Sequence, residues 1–350
     1  MKRATKRTRP RLLASAATAL TGLTLLGGPL APPATAATTA TAAPPATAGT
    51  NATNAEATGR GCRLPAPQEP GTSADHTLAS GGLARGYRLH LPEDYASRRG
   101  WPVVLAFHGR GNTGAGTEEF SKLSTLPAVV VYPEGVVGTG DGDRQAWQGA
   151  PYAAPGVDDV AFTADLLDAL TAALCVDERR VYATGKSNGA GFAALLACRM
   201  ADRVAAIAPV AGAYYPGTGE GCAPSRPVPV IAFHGTGDVT IPYGGDADRG
   251  LPAISGWVAA WAGRNGCAAD PFTRAVKPDI AVSRWVGCER GARVEHVAVA
   301  DGGHTWPGAD SYSGGGVTTQ TIEAHEELWR FVRGHRLPAA ASASATASAR

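Results

Sequence analysis

The sequence predicts an α/β fold, a mostly parallel central sheet with helices on both faces. Three observations predict it. Short apolar runs alternate with stretches whose apolar residues recur at helical spacing. The runs Val103–Phe107 and Val228–Phe233 read as buried strands, as a sheet covered on both faces requires. A glycine-flanked serine, Gly185-Lys186-Ser187-Asn188-Gly189, stands between a strand and a helix.

The elements follow in order. Tyr87–Leu91 is an early strand, Val103–Phe107 the next, and Ala128–Tyr132 another. Val157–Leu174 has the spacing of a helix face and opens with Asp158 and Asp159 as N-cap candidates. Strand Arg180–Ala183, helix Gly189–Met200, strand Val204–Val210 and strand Val228–Phe233 come next. A helix over Ile254–Arg264, a strand over Val294–Val299 and a last helix over Thr319–Arg333 close the chain, with no internal repeat. Chemistry in such sheets sits at the carboxyl ends of the strands.

The amino-terminal region has a different character. Lys2, Arg3, Lys6, Arg7, Arg9 and Arg11 precede an apolar run to about Leu30, and Ala34-Thr35-Ala36 offers a cleavage site, so 1–36 reads as a secretory signal peptide. Residues 37–58 are nearly all Ala, Thr and Pro and read as a disordered linker, as does the Ala/Ser tail 338–350. Residues 59–337 fit one domain. The formal net charge is +2, partly in the leader, and no basic run recurs, so neither nucleic acid nor, after cleavage, a membrane is an expected partner. A secreted, extracellular monomer is expected. Six cysteines in an exported chain predict three disulfides, with Cys267–Cys288 flanking a two-strand excursion and Cys62, Cys175, Cys198 and Cys222 unassigned. No metal-ligand spacing occurs, and no metal or cofactor is expected.

The serine motif has the context of a nucleophile elbow, which makes the fold an α/β-hydrolase. Ser187 would stand exposed at a helix N-terminus, where developing negative charge is favoured. A serine hydroxyl needs a base, and the base an orienting acid, which follow in the order Ser, acid, His. Asp238 leaves the strand ending at Phe233 in His234-Gly235-Thr236-Gly237-Asp238, followed by Ile241-Pro242; Asp246 and Asp248 are its rivals. His304 lies in Gly302-Gly303-His304-Thr305-Trp306-Pro307, after the last strand and before the last helix. His76, His90, His296, His325 and His335 read as solvated or packed, and His108 and His234 as structural. Backbone N–H groups of Arg110 and Asn188 are the expected oxyanion donors. Trp306 is expected to wall an acyl pocket, and Trp147 and Tyr152 to stack on an aromatic acid or a sugar. Two other motifs compete. Gly109-x-Gly111-x-x-Gly114 with Glu134 is a formal dinucleotide fingerprint, which would make an NAD-dependent oxidoreductase, but it follows a later strand and an exported protein meets little NAD. Gly185-Lys186-Ser187 imitates the end of a P-loop, but Arg180 stands where its first glycine belongs.

From about Cys62 to Val332 the chain resembles secreted feruloyl esterases and the related polyhydroxybutyrate depolymerase-like esterases. The resemblance is carried by Arg88-Leu89-His90-Leu91-Pro92, Phe107-His108-Gly109-Arg110-Gly111, Val157-Asp158-Asp159-Val160-Ala161-Phe162 and Leu174-Cys175-Val176-Asp177. Val181–Gly189, Phe233–Asp238 and Gly303–Pro307 continue it. It implies an α/β-hydrolase with the triad Ser187, Asp238 and His304. Lys186 departs from the family, which often has Phe or Leu before the serine. Asp158-Asp159 is read as a cap and structural hydrogen-bonding site, not a catalytic dyad. A depolymerase of solid polyester usually carries a binding module, and only a helix and tail follow His304. A soluble ester is therefore expected, a feruloyl or acetyl group on plant cell-wall xylan, with hydroxyalkanoate oligomers as the alternative. A carbohydrate-binding module without catalysis is the remaining reading, opposed by the complete triad.

Overall fold

The computed structural model describes residues 60–339, apart from 98 and 141. The expected leader, the linker and all but the first two residues of the tail lie outside the described residues. The strands are β1 (Ser73–Ser80), β2 (Leu83–His90), β3 (Trp101–Phe107), β4 (Val129–Pro133), β5 (Val136–Val137), β6 (Gln145–Ala146), β7 (Val176–Lys186), β8 (Ala206–Val210), β9 (Val230–Gly235), β10 (Phe272–Lys277), β11 (Ile280–Trp285) and β12 (Val294–Val299). The helices are α1 (Gly114–Ser121), α2 (Asp159–Ala173), α3 (Asn188–Arg199), α4 (Ile254–Arg264) and α5 (Ala324–Val332).

Ten strands form one sheet in the order β1-β2-β4-β3-β7-β8-β9-β12-β11-β10, and β5 and β6 pair separately. The six central strands, β4 to β12 in that order, run parallel, and the flanks are antiparallel. Every residue of β3, β4, β8 and β9 is buried. Alternation along β3 explains how one strand serves two cores. Val103, Leu105 and Phe107 join Phe162 of α2, Phe192 of α3 and Trp261 of α4. Val104 and Ala106 face the other way, with Phe120 of α1 and Leu328 and Phe331 of α5. The expected mostly parallel sheet with helices on both faces is the one observed.

Several local readings needed correction. β1 escaped prediction because its residues are polar and largely solvated. It is instead held by its hairpin with β2, whose turn residues Gly81 and Gly82 both have positive φ. Helix α1 was also missed; Thr113 caps it by accepting from the Gly116 N–H at 3.1 Å. The last helix begins at Ala324, not at Thr319, because the Thr319 and Thr321 hydroxyls donate to the Asp279 carboxylate and hold that segment out of the helix. β7 begins four residues earlier than expected, at Val176, where it meets Trp101 of β3.

Asp158 caps α2, accepting from Ala161 N–H at 3.0 Å, while Asp159 is buried against Arg85 of β2 at 2.8 Å. The three disulfides join Cys267 to Cys288, as expected, Cys62 to Cys175 and Cys198 to Cys222. The first spans the β10–β11 hairpin and the third ties the end of α3 to the segment before β9. Cys62–Cys175 closes a separation of 113 residues. Replacing both by serine should cost about 3–5 kcal/mol by releasing that loop in the unfolded chain. Urea unfolding of the oxidised proteins checks this: the midpoint falls, and by more than for a Cys267/Cys288 double replacement.

Candidate active site

Ser187 is the single residue between β7 and α3, with φ 58° and ψ −119°. An L-residue adopts this strained conformation only when its surroundings enforce it. The Ser187 N–H donates to the Val210 carbonyl at 3.0 Å, and its own carbonyl accepts from Gly191 and Ala213. The flanking glycines are explained by packing against the end of β3. A Cβ at Gly185 would lie 2.6 Å from the Phe107 carbonyl oxygen, and one at Gly189 only 2.1 Å from it. The turn therefore projects the Ser187 side chain outward, half-buried, at the carboxyl end of the central strand.

Asp238 follows β9 and is buried. Its Oδ1 accepts the N–H groups of Thr240 (2.9 Å) and Ile241 (2.8 Å), and its Oδ2 is 2.7 Å from His304 Nδ1. Burial pushes the Asp238 pKa up, but hydrogen bonds from His234 and His304 and from the Ile241 N–H outweigh that, and it is held well below the ordinary carboxylate range. His304 follows β12, with its N–H on the Gly315 carbonyl. Burial lowers its pKa; Asp238 opposes this, and the positive charge of Lys186 reinforces it. With Nδ1–H directed at Asp238, Nε2 is the nitrogen left to accept a proton. The rival acid Asp246 is engaged with Arg249 at 2.6 Å.

Ser187 and His304 line one cleft of about 680 Å³, together with Arg110, Lys186, Tyr152 and Tyr215. Among the described residues, the backbone N–H groups of Arg110 and Asn188 donate to no acceptor. Tyr152 lines the cleft, with the Arg110 guanidinium 4.3 Å above its ring and Tyr215 edge-on.

The two tryptophans are corrections. Trp306 points away from the cleft into the core beneath α5 and packs on Phe120. Trp147 is fully buried, stacked on Phe192, and donates its indole N–H to the His108 carbonyl. It still matters to the elbow. Its main-chain N–H and C=O bond the Asn188 side-chain amide at 2.7 and 3.3 Å, and the neighbouring Gln148 N–H donates to Asp159.

The formal dinucleotide fingerprint is likewise accounted for. Glu134 accepts from the N–H of Gly114 at 2.7 Å, and a Cβ on Gly114 would meet the Tyr132 carbonyl at 2.7 Å. The motif's acid and last glycine thus serve packing.

Sequence reading passed over two residues. His234, expected to be structural, places Nε2 3.2 Å from Asp238 Oδ2 and 2.9 Å from the Ile241 carbonyl, a second contact on the acid. Its position at a strand end, four residues before Asp238, was the available signal. Lys186 is 6% exposed and borders the cleft; its oddity before the serine was visible, but its direction was not.

The sheet, elbow and buried acid–imidazole pair define the class as an α/β-hydrolase. An acetyl xylan esterase from Aspergillus awamori superposes with a TM-score of 0.51 at 16% identity, covering 74% of this chain and 99% of that one, which shows the same fold. Residues 85–223 match the family model described as Esterase PHB depolymerase. "Putative esterase NocK" of Nocardia uniformis subsp. tsuyamanensis is 31% identical over 271 residues, 69% of this chain and 76% of that protein. Feruloyl esterase B of Piromyces equi is 28% identical over 229 residues, 62% of this chain but 42% of the Piromyces protein. The chain belongs to the PHB depolymerase esterase family and is a carboxylic ester hydrolase.

Two outcomes test the geometry. Gly189→Val should prevent α3 from seating on β3 and leave little soluble folded protein, read by circular dichroism and yield. Lys186→Met removes a positive charge beside His304, so the His304 imidazole should titrate at higher pH than in the wild type, read by NMR of the ring protons.

Proposed function

We propose that this protein is a secreted serine esterase that works through an acyl-enzyme, with Ser187 as nucleophile, His304 as base and Asp238 as orienting acid. The observation that carries the reading is the buried His304 Nδ1–Asp238 Oδ2 bond at 2.7 Å, opening on the cleft where Ser187 stands. His304 Nε2 takes the proton as Ser187 Oγ attacks the ester carbonyl, and Asp238 stabilises the imidazolium. The oxyanion forms against the N–H groups of Arg110 and Asn188, which donate to no other acceptor among the described residues. His304 then protonates the departing alcohol, and water releases the acid by the same route.

The substrate we propose is a hydroxycinnamoyl ester, feruloyl above all, on plant cell-wall xylan. Support comes from the likeness to feruloyl esterase B and from Tyr152, an aromatic residue lining the cleft beside Ser187. The family model favours a second reading, hydroxyalkanoate oligomers. Acetylated xylan is a third. The leader-like head and the three disulfides support export, with residues 59–337 as the working domain.

Hydrolysis of methyl ferulate beside p-nitrophenyl acetate and butyrate tests the reading. Ser187→Ala should lose on the order of 10⁶ in kcat, and Asp238→Asn roughly 10⁴. Undiminished turnover by Ser187→Ala would sink the proposal. Because burial and Lys186 lower His304, and the neutral imidazole is the working form, activity should rise from acid and reach half its plateau below pH 6.5. A pH profile of kcat/KM checks this.

A further inference from the structure

The cleft carries a charge that a neutral ester does not need. Lys186, Arg110, Arg144 and Arg249 border it, against one carboxylate, Glu119. The whole chain is nearly balanced, with a formal charge of +2, so this is a local concentration. Arg249 is paired with Asp246, but the other three cations have no carboxylate partner among the described residues.

Lys186 is the telling member. More than nine-tenths of it is buried, and it sits next to Ser187, yet its ammonium makes no hydrogen bond or ion pair among the described residues. Asp238 does not claim it, because both its oxygens are occupied, by Thr240 and Ile241 on one side and by the two histidines on the other. Burying a cation without a partner is costly, and a protein that retains one in a substrate cleft gains when an anion arrives. Burial lowers the Lys186 pKa to about 8, with Asp238 opposing, so it remains mainly an ammonium at neutral pH. Arg110 shows the same incompleteness further out. Its Nε is buried without an acceptor, and its guanidinium is held by the Tyr152 ring and a long contact of 3.5 Å to the Thr139 carbonyl.

We infer that the cleft selects esters that also bear a carboxylate, which Lys186 receives beside the nucleophile and Arg110 and Arg144 attract at the mouth. The inference rests on the esterase reading and narrows its substrate class. The carboxylate belongs either to the acyl part or to the alcohol part, such as an acidic sugar, and the recognition chemistry is the same. The side chains of Lys186, Arg110 and Arg144 are specificity-determining here and take no part in bond making.

Two pairs of esters separate the sources. Mono-4-nitrophenyl glutarate beside 4-nitrophenyl valerate places the charge on the acyl side; 3-acetoxybenzoate beside 3-acetoxybenzamide places it on the alcohol side. The quantity read is kcat/KM of the charged ester divided by that of its neutral partner, in wild type, Lys186→Met and Arg144→Gln. In one pair, Lys186→Met should lower this ratio by about tenfold or more, the worth of one charge-assisted contact, mostly through KM. Arg144→Gln should lower it less, and added NaCl should erase most of the Arg144 effect. Arg144 is exposed, so its variant still tests the inference if Lys186→Met folds poorly. A ratio unchanged in both pairs and both variants, with neutral esters still cleaved in a Ser187-dependent way, overturns the anion preference and leaves the esterase reading standing. Loss of Ser187 dependence overturns both.

Discussion

The approach of α3 to the end of β3 is the constraint on which the rest depends. Gly185 and Gly189 bring the β7–α3 turn against the Phe107 carbonyl so closely that no side chain fits between them. That approach forces Ser187 into positive φ, and the strain is held by ordinary means. Main-chain bonds to Val210 and Ala213 tie the turn to β8 and its loop, one to Gly191 joins it to α3, and the Phe192 ring locks edge-on against Phe107. The energy that fixes the serine is therefore core burial, gathered over the whole sheet and spent at one residue.

A second line of support reaches the elbow from the far side. Arg85 and Asp159, both buried, join β2 to the start of α2 and depend on each other, since either alone would be an unpaired charge. Asp159 also holds the Gln148 N–H, and next to it Trp147 grips the Asn188 amide. The acidic pair in the sequence thus acts at a distance. It steadies the loop on which the residue after the serine is anchored, with Asp158 confined to capping.

The electrostatics of the cleft follow from burial. Asp238 is costly to bury as an anion, and four donors compensate it: two main-chain N–H groups, His234 and His304. The imidazole is thereby oriented but also enclosed, and burial together with Lys186 keeps it neutral to lower pH than a free histidine. The glycines of the loop facing His304 permit this enclosure. A Cβ at Gly314 would lie 1.8 Å from the His304 carbonyl and 2.7 Å from the Lys186 ammonium, so the glycine leaves room for both.

Sequence alone determined the alternation of strands and helices, the elbow and the order Ser187, Asp238, His304, because these are local. Apolar runs of strand length, a helix cap at Asp158 and glycines around one serine carry their meaning within a few residues. It also determined Cys267–Cys288, whose members flank one hairpin. Tertiary structure decided what depends on direction and on distant partners. Trp147 and Trp306 look like pocket aromatics in sequence, but their loops turn both into the core, against Phe192 and Phe120. β1 has no apolar signature and exists by pairing with β2. His234 completes the acid's shell, and Lys186 turns into the cleft, only because strands far apart in the chain end at the same sheet edge. Periodicity reports which residues are apolar, whereas the partner of a charge is set by the fold that brings it near.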